Sequence, residues 1–274
     1  MKNGMKNLIV ITMMCLGIFG IVRAEETTTL ADVNISGELS TDFTFGDENT
    51  TTSPYTGLSF SGDSWVISTN LSDGMVNVEE AKYSWNVSDN VSMTFGSQAE
   101  PYGLAWGLHR PSNNWFVSTP RDHSIMDGIG VNANVGFVGV DFLYGGGLDD
   151  YWASRVSFEL SGLGINSEIG LSVNSNDAQL VDVSVGSDVF ETSFEYDLSE
   201  EADGAYWLRG VVTPPQAQGA FLLIGYNSDE VVTYGVGYKC SDRMKVVSEF
   251  TSGLKDADGN EVTNDFSIRA SYSF

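Results

Sequence analysis

The stretch NDFSIRASYSF, residues 264–274, decides the fold. Phe266, Ile268, Ala270, Tyr272 and Phe274 alternate with Ser267, Arg269, Ser271 and Ser273. Successive side chains of a strand point to opposite faces, so a period of two marks a strand with one apolar and one polar face. The same rhythm runs back through the chain. Val232, Tyr234, Val236 and Tyr238 alternate with Thr233, Gly235, Gly237 and Lys239, and Phe190, Thr192, Phe194 and Tyr196 with Glu191, Ser193, Glu195 and Asp197. Ile165, Ile169, Leu171 and Val173 are interleaved with Asn166, Glu168, Gly170 and Ser172.

A soluble β-sandwich also alternates, but some of its central strands read as continuous apolar runs. Here a polar face recurs in nearly every strand. Aromatic residues gather at strand ends (Trp65, Trp85, Tyr144, Trp152, Tyr196, Tyr206, Tyr226, Tyr238), where the interfacial girdles of a membrane barrel lie. The pattern predicts a closed antiparallel transmembrane β-barrel. Sixteen segments qualify, from 33–45 to 264–274, an even number as bacterial barrels have. The weak places are 56–71 and 213–231, where merging strands would leave fourteen or twelve. One set of connections is mostly tight (Val87 to Asn90, Gly136, Gly162, Gly186 to Asp188, Cys240 to Asp242). The other tends to be longer and acidic (Gly46 to Tyr55, Gly145 to Tyr151, Leu198 to Ala205, Leu254 to Thr263), as expected of external loops.

The N-terminus has a different character. Lys2 and Lys6 precede an apolar run from Leu8 to Val22, and Val22-Arg23-Ala24 supplies a cleavage context. Residues 1–24 therefore read as a secretory signal peptide, with residues 25–274 as the barrel. The run is short for a membrane helix, so a span must be made by strands that close on themselves and satisfy every backbone group. Removing three basic residues (Lys2, Lys6, Arg23) and no acidic ones leaves 10 basic against 37 acidic residues, a formal charge of −27. That balance excludes nucleic acid as a partner, since backbone binding needs Lys and Arg. Cys240 is the sole cysteine beyond residue 24, so no internal disulfide is expected.

The longest connection is 99–126, between the fifth and sixth strands. It holds Pro101, Pro111 and Pro120, both histidines, and Trp106, Trp115 and Phe116. Long connections of this kind are functional or disordered. The aromatics argue for packing, and the lumen is the place for it. The expected constriction residues are Tyr102, Trp106, His109, Arg110, Trp115, Arg121 and His123.

The stretch Val78 to Trp106 (VEEAKYSWNVSDNVSMTFGSQAEPYGLAW) resembles the signature of the phosphate-selective porins of Gram-negative outer membranes. In it, Ala81, Tyr83, Gly96, Pro101, Tyr102, Gly103 and Leu104 match the family pattern, and the departure is Ser97, either inserted before Gln98 or standing in place of the family's Gln. The resemblance implies a sixteen-stranded outer-membrane channel, often a homotrimer, whose third external loop narrows the lumen. It implies as partners outer-membrane lipid, lipopolysaccharide, the barrel-assembly machinery, and small ions and solutes. The terminal Phe274, with Tyr272 before it, resembles the assembly signal of outer-membrane barrels. Phosphate selectivity does not carry over, because the family's clusters of Lys and Arg have no counterpart among the scattered basic residues here.

The pleat assigns the lumen-facing candidates: Glu38, Asp42, Glu80, Lys82, Asp141, Arg155, Glu159, Glu168, Asp182, Glu191, Glu195, Arg209, Lys239, Arg243, Lys245, Glu249 and Arg269. Acids outnumber bases in this set, ten to seven, which favours cations in a water-filled pore. Arg110 and Arg121 contribute to the constriction or tie the loop to wall carboxylates. Asp256, Asp258, Asn260 and Glu261 have the flavour of a calcium loop but read as a solvated turn, so neither metal nor cofactor is expected. The histidines share one loop without a Ser/His/Asp arrangement, which argues against an enzyme. The competing reading is a non-conducting structural or adhesive barrel with a filled lumen, at which Trp207, Phe221 and Leu223 hint locally.

Overall fold

The computed structural model describes residues 33–45, 50–72, 75–104, 116, 125–145, 151–162, 164–199, 204–217, 219–253 and 265–274. They form sixteen strands: β1 (Asn34–Phe45), β2 (Thr50–Ser61), β3 (Trp65–Ser72), β4 (Met75–Ser88), β5 (Val91–Ala99), β6 (Ile125–Val135), β7 (Val138–Gly145) and β8 (Tyr151–Gly162), followed by β9 (Ile165–Asn174), β10 (Gln179–Gly186), β11 (Phe190–Asp197), β12 (Tyr206–Val212), β13 (Ala220–Asn227), β14 (Val232–Ser241), β15 (Met244–Ser252) and β16 (Asp265–Ser273). Each pairs antiparallel with its sequence neighbours, and β1 pairs with β16, so the sheet closes. Closure leaves no free edge along the ring. The two weak places resolve into separate strands, so the count is sixteen rather than fourteen or twelve. The proposed signal peptide lies outside the described residues.

The faces follow the alternation. Val232, Tyr234, Val236 and Tyr238 on β14 are exposed, and so are Leu222 and Ile224 on β13. Between them in sequence, Phe221, Leu223 and Thr233 point inward and are buried. The exposed face carries aromatic contacts between neighbouring strands: Phe194 with Tyr206 (6.5 Å), Tyr206 with Tyr226 (6.0 Å), Tyr234 with Phe250 (5.0 Å). Cross-strand pairs of this sort contribute roughly 0.2–1 kcal/mol each. The C-terminal ring rests on the same face, where a Cβ added at Gly37 would stand 2.4 Å from Phe274.

The structure corrects the reading of two strands. Residues 50–55, assigned to a loop, belong to β2, with Phe45 paired to Thr50 and Tyr55 to Ser40. The threonines favour an extended chain. Pro54 is accommodated because β3 pairs only with Thr56–Ser61, so nothing on that side asks Pro54 for an N–H. The second correction is in β4. Ser68 pairs with Glu80 but Thr69 pairs with Val78, so Glu79 is an extra residue in a bulge. The alternation therefore changes phase between Val78 and Ala81, and Glu79 and Glu80 both reach the interior.

Two connections at the long-loop end are built alike. Asn174 Oδ1 accepts from the amides of Asn176 (3.0 Å) and Ala178 (3.2 Å). Asn227 Oδ1 accepts from Asp229 (3.1 Å) and Val231 (3.0 Å). Each turn closes through a left-handed residue, Asp177 or Glu230. Aspartate tolerates that conformation, and in both turns the asparagine side chain satisfies the backbone locally.

Candidate functional site

The candidate site is the inner wall, where the pleat brings most charged side chains together. On β7 to β11 it is mainly acidic. Asp141 is in register with Arg155, and Asp182 with Glu195. Arg155 Nε donates to Asp182 Oδ2 at 3.2 Å and Nη2 to Oδ1 at 2.6 Å, while Nη2 also donates to Glu168. Asp182 is fully buried and Arg155 nearly so. A buried carboxylate is tolerable only when paired, and the paired strand makes room for it. Gly170, opposite Asp182, has no side chain to fill the gap the guanidinium crosses.

On β12 to β16 the wall is richer in bases. Arg209, Lys245 and Arg269 point inward, with Glu249 among them, and all are buried. Lys239 stands across the ladder from Lys245. Arg269 forks onto Asp42 of β1, Nε to Oδ1 at 2.7 Å and Nη2 to Oδ2 at 2.6 Å, the bidentate geometry that makes such pairs strong. The acidic and basic arcs thus adjoin along the ring, meeting where β11 pairs with β12. Around β4, Lys82 pairs with Glu80 at 3.0 Å. The bulged Glu79 accepts from Tyr55 and from Asn70, both at 2.8 Å. A recess of about 170 Å³ beside this pair is lined by Glu80, Lys82, Thr94, Gln98, Asn132 and Asp141, with Pro101 over it.

The described parts of the connection between β5 and β6 meet this wall. Glu100 accepts from Tyr151 Oη and, at 3.4 Å, from Asn174 Nδ2. The Gly103 amide donates to Ser172 Oγ at 3.0 Å, and the Leu104 amide to Glu195. Ser172 and Glu195 face inward on β9 and β11, so the chain leaves β5 and reaches across the interior. Phe116 is buried against Val211, Phe221, Leu223 and Val247, an inward-facing apolar cluster. Arg209 lies 4.4 Å from the centre of its ring. The Phe116 carbonyl accepts from Arg269 Nη1 at 2.9 Å.

Of the expected constriction residues, Tyr102 is described and half-buried. Trp106, His109, Arg110, Trp115, Arg121 and His123 lie outside the described residues, as does the acidic turn at 256–261. The expected wall residues Glu159 and Glu168 are in register with each other, and Glu191 faces Gly186. Arg243 is corrected: it sits exposed in the turn between β14 and β15, because β15 begins at Met244. Sequence reasoning missed Glu79, although Glu79-Glu80 interrupting the valine alternation was a signal for a bulge. It also missed the role of Phe116, a residue with no periodic neighbours to place it. Cys240 is exposed, and among the described residues no three His, Cys, Asp or Glu side chains are grouped to hold a metal ion.

Comparison with known proteins yields no matching family model and no matching curated relative. Solved structures do match. OmpF of Salmonella typhi, in complex with daunomycin, superposes with a TM-score of 0.65 at 11% identity, over 88% of this chain and 97% of that one. OprB of Pseudomonas putida gives 0.65 at 10% identity, over 89% and 94%. A loop-deletion mutant of OmpT, an outer membrane protein of Vibrio cholerae, gives 0.59 at 15% identity, over 88% and 99%. At these identities the likeness is one of fold: the chain is a closed sixteen-stranded antiparallel barrel of the architecture seen in outer-membrane porins.

Proposed function

We propose that the chain is an outer-membrane channel for passive diffusion of small hydrophilic solutes and ions, with a preference for cations. The observation that carries this reading is the inversion of polarity. Leucine, isoleucine, valine and tyrosine side chains are exposed on the outside, while Asp182, Arg155, Glu195, Glu249 and Arg269 are turned inward. An apolar exterior suits lipid, and a charged interior suits water. The porin-like fold and the segment crossing from Glu100 to Leu104 support a constricted pore.

Cation preference rests on how the inner charges are matched. Arg155 is shared by Asp182 and Glu168, and Arg269 is engaged by Asp42. Arg155 is outnumbered by its two acids, and Lys82 by Glu79 and Glu80, so the wall from β4 to β11 keeps an excess of negative charge that sets the potential seen by a passing ion. The expected signal peptide and the terminal Tyr272 and Phe274 fit export and assembly in the outer membrane. Association into a homotrimer belongs to the same proposal.

The test is planar-bilayer current from the refolded protein under a tenfold KCl gradient. Discrete conductance steps with a cation-directed reversal potential are expected. An anion-directed potential would overturn the selectivity and restore the phosphate-porin analogy. A folded barrel that gives no steps would move the chain to the non-conducting structural or adhesive reading, which the apolar cluster around Phe116 favours.

A further inference from the structure

The wall from β12 to β16 carries an apolar floor inside a polar lumen. Val211, Phe221, Leu223 and Val247 face inward on three strands, and none is more than 5% exposed. The floor depends on an opening in β14: a Cβ at Gly237 would lie 2.0 Å from the Phe221 ring, so that ring can lie flat only beside a glycine. Phe116 occupies the floor. Two guanidiniums, each 6% exposed, hold it from other directions. Arg209 covers the ring face at 4.4 Å, and Arg269 Nη1 donates to the backbone oxygen at 2.9 Å. Asp42 takes Nε and Nη2 of Arg269, which directs Nη1 to the occupant.

The wall thus recognises three features of one residue: a flat apolar ring, a π face for a cation, and an acceptor oxygen on the third carbon from the ring. We propose that this is a binding site for small arylalkanoates, of which 3-phenylpropanoate is the simplest, and that Phe116 fills it when no such solute is bound. In 3-phenylpropanoate two methylene carbons separate the ring from the carboxylate, as Cβ and Cα separate the Phe116 ring from its carbonyl carbon. The Arg269 contact is already charge-assisted, and a carboxylate in place of the neutral carbonyl adds the attraction between two opposite charges. Glu195 and Glu249 lie within electrostatic reach of Arg209, and Asp42 holds Nε and Nη2 of Arg269, so the carboxylate meets the wall through Arg269 Nη1, the donor that now serves the Phe116 carbonyl. A tethered ring competes at an effective concentration on the order of millimolar, so the intact protein binds such solutes weakly.

The experiment is calorimetric titration of the full refolded barrel in detergent, which requires no conductance. With 3-phenylpropanoate, Phe116→Ala should bind at least tenfold more tightly than the unaltered chain. Adding Arg209→Met or Arg269→Gln to that variant should abolish the gain. Butanoate, which lacks the ring, and 3-phenylpropylamine, which lacks the acceptor, should not bind. Equal affinity in the variant and the unaltered chain overturns the proposal, and so does butanoate binding as well as 3-phenylpropanoate. If Phe116→Ala does not fold, Phe116→Leu keeps apolar bulk on the floor without a π face, and the same order is expected. A barrel that binds the arylalkanoate yet passes no current keeps this site and loses the channel.

Discussion

Gly170 lies directly across the ladder from Asp182, and a Cβ at Gly170 would stand 2.3 Å from that carboxylate and 2.5 Å from the Arg155 guanidinium. The salt bridge and the glycine are therefore one structural unit. Gly170→Ala should force the pair apart and destabilise the barrel by about 1–3 kcal/mol, the usual range for overpacking a filled site. Urea unfolding of the refolded protein measures this, and an unchanged midpoint would show that the wall yields freely there.

Arg155 answers two carboxylates, one of them fully buried. Arg155→Met should cost roughly 3–5 kcal/mol, because it strands Asp182 as an uncompensated charge. Adding Asp182→Asn should return part of that loss. A double variant as unstable as the sum of its parts would mean that the residues act independently.

The bulged Glu79 holds Tyr55 and Asn70 by charge-assisted hydrogen bonds. Glu79→Gln keeps the shape and weakens both, for a loss of about 1–3 kcal/mol. It also removes a lumen acid, so the cation-to-anion permeability ratio should fall. Reversal potentials before and after the substitution, beside a melting curve, separate the two effects.

Ile224 projects outward from the middle of β13 and is 62% exposed. Ile224→Arg should cost about 2–4 kcal/mol when the protein is folded in lipid vesicles, as expected of a cation on the lipid face near the bilayer midplane. The inward Ser184→Arg should cost less, since a charge there meets water. Similar losses at both positions would contradict the assignment of faces.

Strand number, closure and most of the inner face were legible in the sequence because a barrel repeats one physical rule, alternation, along every strand. Reading failed where the rule breaks. At Glu79 one inserted residue changed the phase of β4, and two adjacent acids came to share a face. At Thr50 to Tyr55 the threonine-rich stretch lacks apolar alternation, so the strand reads as part of the longer, acidic connection that begins at Gly46. Trp207, Phe221 and Leu223 were legible as large inward residues. The purpose of Phe221 and Leu223 was not, because the ring they receive comes from a distant connection that no local pattern ties to β13. The Arg155 and Arg269 pairings were likewise hidden: Arg155 reaches past β9 to Asp182 on β10, and Arg269 meets Asp42 only because β16 closes on β1.

Because β2 runs on past the last rung of β3, the rim of the barrel exposes a short length of backbone from Thr51 to Tyr55 on the side away from β1. Such a fringe is where one molecule could be stitched to the next, strand against strand, in a membrane crowded with copies. Pro54 lies within it and has no amide hydrogen to offer a newcomer. That one residue thus guards the barrel against fusing with its neighbours.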